Sequence, residues 1–182
     1  MNRDVPPTLE ECLTAPLAEV VSWGLPSSRL DGEQRWNIPE GDARALREFG
    51  VAIFEDGGGR GGIQLIGSLQ SGNRPKIRRC EVEAYSLGSY WRREIGVVSG
   101  SGEVVGVSDS DSSNVSLINT SATLFVDVSW RWAFARRILI GVEDYEYLYA
   151  SLGRFLQYVH RIDSAVRDDP RFAWWNGVIE GW

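Results

Sequence analysis

Three groups of residues have the types and spacing that chemistry needs. The run Gly57-Gly58-Gly59-Arg60-Gly61-Gly62 satisfies G-x-G-x-x-G, the spacing of a dinucleotide-binding turn. Such a turn works between a strand and a helix, where the helix N-terminus meets the pyrophosphate. Here Ile63-Gln64-Leu65-Ile66 follows and reads as a strand, so the run is a glycine-dense hairpin loop. The second group, Asp109-Ser110-Asp111-Ser112-Ser113-Asn114, begins like a calcium loop. It has Asn114 where the sharp turn needs glycine and Thr120 where the bidentate glutamate belongs. It reads as a solvated acidic loop. The third is His160, the only histidine. Alone it cannot complete a common zinc site, and no G-x-S-x-G elbow presents a nucleophile for it to activate. No catalytic residue, metal or cofactor is assigned.

The remaining titratable groups have structural readings. Glu143, Asp144 and Glu146 fall where a helix starts and complement its macrodipole. Asp168-Asp169 precedes Pro170, a favoured first helical residue. Cys12 and Cys80 match no metal pattern and read as two buried apolar thiols rather than a disulfide.

Charge bounds the partners. The 25 acidic and 19 basic side chains leave a net charge of −6. A general nucleic-acid binder draws its affinity from neutralised phosphates and is usually basic, so this balance argues against that role and is compatible with a basic protein partner. Residues 61–100 run against the trend, with 3 acids and 6 bases. Lys76 is the one lysine, an arginine skew typical of GC-rich genomes. No apolar run approaches the ~20 residues that span a bilayer. The start, Met1 to Pro7, lacks the apolar core of a signal peptide, so a cytoplasmic protein is expected.

The elements that must position these groups follow from periodicity. Leu9, Cys12, Leu13, Leu17, Val20 and Val21 make a helical stripe over 9–23, with Thr8 and Glu11 at capping-box spacing. Pro16 should kink or split it, and Gly24-Leu25-Pro26 ends it. A short helix is expected over 42–49 with Gly50 as its stop. Strands are expected over 51–54, 62–66, 77–85, 95–98, 103–107 and 115–118, with a Ser99-to-Gly102 turn joining the central pair. Helices return after Ser121: one through Ile140, one over 145–166, and a short one over 170–182. The expectation is an α+β fold. A largely antiparallel sheet of five to six strands carries helices on one side, in a single domain over 1–182.

Eight tryptophans remain, and most belong to the core. Trp130 and Trp132 are two apart on one helix, so one of them is a candidate for a binding surface. With Asp109, Asp111, Glu143 and Asp144 they form the set of expected partner contacts.

The order of motifs resembles the SUKH superfamily, the Smi1-like proteins, and within it the fourth immunity subfamily, common in actinobacteria. The resemblance rests on Trp23-Gly24-Leu25-Pro26, Ile95-Gly96, and Gly102-Glu103-Val104. It continues with Asn119-Thr120-Ser121 before an aromatic helix, then Asp169-Pro170, Phe172 and Trp174-Trp175. It spans residues 9–180, and the glycine- and arginine-rich stretch 57–93 departs from it. The resemblance implies a non-enzymatic antitoxin that binds and blocks a cognate toxin, a nuclease or nucleic-acid deaminase. It brings no catalytic residues. A monomer is expected, with no direct contact to nucleic acid or membrane. The alternative is a Smi1-like regulatory scaffold that binds host proteins and has no toxin partner.

Overall fold

Local capping sets the first element. Thr8 Oγ1 accepts from the Glu11 N–H at 3.2 Å, and the Glu11 carboxylate accepts from the Thr8 N–H at 2.8 Å. This reciprocal pair opens α1 (Leu9–Thr14), which buries Leu9, Cys12 and Leu13. Pro16 splits the stripe as expected, and α2 (Leu17–Ser22) starts directly after it. The computed structural model describes residues 7–53, 65–67, 69–79, 81–90, 93–108 and 115–180. Helix α3 (Glu40–Glu48) stops at Gly50, whose φ of +68° places it in the left-handed region. A Cβ at Gly50 would come within 2.3 Å of the Ser28 carbonyl oxygen, so only glycine fits.

Strands β1 (Ser27–Ser28) and β2 (Val51–Ala52) pair as a small ribbon. Strands β3 (Leu65–Gly67), β4 (Ile77–Arg79), β5 (Val82–Tyr90), β6 (Arg93–Val98), β7 (Val104–Ser108) and β8 (Val115–Asn119) form the main sheet. Every recorded pairing is antiparallel. Strands β3 and β4 share one edge of β5, the first opposite Gly88–Tyr90 and the second opposite Val82–Ala84. The sheet is therefore five strands wide and built from six.

Two strand expectations change. The run 77–85 is a hairpin rather than one strand, and the chain reverses near Glu81, which has φ +63°. Glutamate seldom adopts that conformation, so nothing in its type announces the turn. Strand β5 then continues through Ser86–Tyr90 with a bulge between Ser86 and Gly88. That polar, glycine-containing stretch is carried as a strand because neighbours pair with it on both edges.

Helix α4 (Ala122–Leu139) follows β8 and is enclosed by α1, α2, α3, β2 and β8. Helix α5 (Tyr145–Ile162) packs beside it through Leu148, Leu152, Phe155 and Val159. The helix expected over 145–166 breaks at Asp163, and α6 (Ser164–Asp168) follows as a separate turn. A 3₁₀ turn (Pro170–Phe172) and α7 (Trp174–Glu180) close the described chain. The main core joins these helices to the sheet face bearing Tyr85, Leu87, Ile95, Val97, Val104 and Ile118. A smaller cluster of Ile77, Ala84, Val105 and Val107 occupies the opposite face.

Candidate partner-binding surface

What lies beneath the surface is settled by a buried polar junction at the head of α4. Asp163, almost fully buried, accepts from Asn119 Nδ2 at 3.0 Å, the Thr120 N–H at 2.9 Å and Thr120 Oγ1 at 3.2 Å. Asn119 Oδ1 in turn accepts from the Trp175 indole N–H at 3.2 Å. Ser121 caps α4 by accepting from the Leu124 N–H at 3.2 Å. Asn119, Thr120 and Ser121 thus together join β8, α4, α5 and α7. A buried carboxylate is tolerated only when donors saturate it in this way.

A second carboxylate reaches the same helix end from α3. Asp42 Oδ1 accepts both the Thr123 N–H and Thr123 Oγ1 at 2.7 Å. Gly102, in the β6–β7 turn, has φ +80°, and a Cβ there would meet Asp42 Oδ2 at 2.2 Å. The turn glycine therefore leaves room for the helix cap.

The structure moves both central tryptophans away from any surface. Trp130 and Trp132 are 0% and 1% exposed. Trp130 donates its indole N–H to the Gly50 carbonyl at 3.0 Å. Trp132 packs against Phe155 at 4.9 Å and Trp175 at 6.2 Å between ring centroids. Spacing by two forbids a shared face on a helix with one buried side. Helix α4 has neighbours nearly all round, so both residues are core. In this conformation neither can touch a partner.

The closing tryptophans divide their work. Trp174 lies over the sheet, its ring 2.7 Å from where a Gly106 Cβ would stand, and Arg93 sits 5.8 Å above it. Trp175 is buried in the core. Asp169 caps the turn before them, accepting from the Arg171 N–H at 2.9 Å, and Pro170 opens that turn, the position expected for it.

Sequence reasoning missed one further buried unit. Arg131 donates to Asp127 Oδ1 at 3.0 Å, to the Ala15 carbonyl at 3.0 Å and to the Cys12 carbonyl. It also lies 4.8 Å above the Tyr158 ring. The Tyr158 hydroxyl donates to the other Asp127 oxygen, and burial followed by that bond holds its pKa above the ordinary range. The i,i+4 spacing of Asp127 and Arg131 was the available signal. Burial pushes the nearby Cys12 thiol up to about 12, so it is protonated and inert at neutral pH, as expected of an apolar thiol. Cys80 lies outside the described residues.

The other candidates are His160, the depression beside the 69–73 loop, the glycine run and the acidic loop. His160 is half-buried on α5. Among the described residues no three His, Cys, Asp or Glu side chains gather as metal ligands. A shallow depression of about 420 Å³ is lined by Asp31, Glu33, Gln34 and the loop at 69–73. Its buried Gln70 is occupied by its own surroundings: Oε1 accepts from the Ser86 and Lys76 N–H groups, and Nε2 donates to the Arg74 carbonyl. The glycine run 57–62 and the acidic loop carrying Asp109 and Asp111 lie outside the described residues.

Glu143 and Asp144 are exposed, at the corner where α4 hands over to α5. Asp144 caps α5, accepting from the Tyr147 N–H at 3.0 Å. Ile140, Tyr145, Tyr147 and Tyr149 are 54, 60, 44 and 69% exposed, and they are the large apolar side chains left exposed among the described residues. No helix of the described chain is long and apolar enough to cross a membrane.

Comparison with known proteins agrees with the motif order. No curated protein and no solved structure matches the chain significantly. The family model for the SUKH-4 immunity protein matches residues 25–181. That span holds the main sheet, the clamped Asn-Thr-Ser segment ahead of α4 and the closing tryptophan helix, so the chain belongs to the SUKH-4 immunity protein family.

Proposed function

We propose that this protein is the antidote to a cognate protein toxin, a nuclease or nucleic-acid deaminase, and neutralises it by covering the active site. The observation that carries this reading is the match to an immunity family over residues 25–181. The chain acts as a single immunity domain, as a cytoplasmic monomer, by binding rather than by turnover. Its net charge of −6 suits the role. Enzymes that work on nucleic acid have basic active-site faces, and opposite charge both speeds encounter and selects partners. Asp109, Asp111, Glu143 and Asp144 are the acids proposed to meet that face. The match is to an immunity subfamily, which favours this reading over a host-protein scaffold.

Co-expression with a candidate toxin from the neighbouring genes tests the proposal. The expected outcome is restored growth and a complex that survives co-purification. Persistent toxicity with no complex formed overturns it.

A further inference from the structure

Most of the surface follows the usual division between apolar interior and polar exterior, and one corner does not. All four large exposed apolar side chains among the described residues fall between positions 140 and 149. The same segment carries Glu143, Asp144 and Glu146, all exposed, and no basic residue appears from 140 to 153. From this juxtaposition we infer that the α4–α5 corner is the surface that docks the toxin, with Tyr145 and Tyr149 as its anchors. The occupant is a basic protein face. The inference rests on the function proposed above and names the contact region for it.

The fold accounts for the corner's backbone but not for its aromatic side chains. Gly141, with φ +85°, turns the chain after α4, and Asp144 caps α5. The apolar stripe that holds α5 in place is Leu148, Leu152, Phe155 and Val159, all buried. Tyr145 and Tyr149 are one turn apart, so they flank that stripe on a common side, while Tyr147 projects on the other flank. A solvated first turn needs none of these rings. Exposed tyrosines are, however, what an interface uses: a large, stiff surface with few rotamers to freeze and a hydroxyl that tolerates water before binding.

Charge complementarity selects the partner. Glu143 and Glu146 are both exposed and lie within two positions of Tyr145 in the chain. Acids around an aromatic centre repel acidic and nucleic-acid surfaces and attract one rich in lysine and arginine.

The test uses the full-length protein and a catalytically inactive form of the cognate toxin identified by the co-expression test. Binding is measured for the native chain, for Tyr145→Ala/Tyr149→Ala, for Glu143→Lys/Glu146→Lys, and for the control Arg78→Glu/Glu83→Arg on strands β4 and β5. The tyrosine pair is expected to weaken binding by about 30-fold or more, as buried aromatic anchors do. The charge-reversal pair should slow association by about 10-fold and flatten its salt dependence. The control should stay within about twofold of the native chain. Circular dichroism confirms that each variant folds. Native binding with both corner variants also within twofold overturns the docking surface and leaves the antitoxin reading standing. Failure of the native chain to bind overturns both.

Discussion

The two ends of α5 each carry an acid, and the two acids do opposite things. At the C-terminal end Asp163 is buried and receives three hydrogen bonds from Asn119 and Thr120. At the N-terminal end Asp144 is exposed, uses one oxygen as a cap, and stands among tyrosines and two further carboxylates that solvent surrounds. A buried acid must be saturated by its own protein, which leaves it nothing with which to recognise another molecule. An exposed acid keeps its lone pairs available. Burial, not acidity, separates a structural clamp from a contact surface.

Substitutions can break that contrast at the buried end, where large effects are expected. Trp132→Ala removes the ring between Phe155 and Trp175 and should destabilise the protein by about 4 kcal/mol, read from chemical denaturation. A loss under about 1 kcal/mol would show that α4 is not enclosed as described. Asp163→Ala strands the buried Asn119 amide and the part-buried Thr120 N–H, and a loss of about 3 kcal/mol is expected by the same measurement. Asp163→Asn retains one acceptor, so its melting temperature should fall between those of the native protein and Asp163→Ala.

At the exposed end the same chemistry should weigh less. Asp144→Ala deletes the α5 cap and should cost about 1 kcal/mol, whereas Asp144→Asn keeps an accepting oxygen and should cost a few tenths. Equal losses in the two variants would mean that charge, rather than the cap, holds the helix start. The smallest effect belongs to Tyr145→Ala/Tyr149→Ala, expected to stay within about 0.5 kcal/mol of the native stability. A larger loss would mean that the rings support the fold and are not free for a partner.

Much of the architecture was legible because it rests on local signals. The Thr8–Glu11 box, the break at Pro16, the Gly50 stop and the Ser121 cap each depend on residues within a few positions of one another. Valine-rich runs bounded by turn residues located strands β6, β7 and β8. The hairpin at Glu81 was not legible, since a glutamate at positive φ is held there by the pairing of β4 with β5. The break at Asp163 was hidden for a related reason: its carboxylate is drawn to Asn119 and Thr120, 43 to 44 positions away.

The contact residues divide along the same line. Glu143 and Asp144 were found at a helix start from the sequence, and they are exposed there. Trp130 and Trp132 looked like one core residue and one surface residue because helical spacing counts only a single helix. The tyrosines at 145, 147 and 149 carry no signal in the sequence, since a tyrosine on an amphipathic helix suits core and surface equally well.

By itself the sequence determined the class of the fold, its caps and turns, its acidic balance and the motif order that marks its family. Those depend on near neighbours and on totals, which chain order preserves. Only the tertiary structure decided which acids are clamped and which are free, that α4 is enclosed on nearly every side, and that the exposed rings gather at one corner. Burial is a property of what surrounds a residue, and the surroundings of α4 and α5 come from strands and helices tens of positions away.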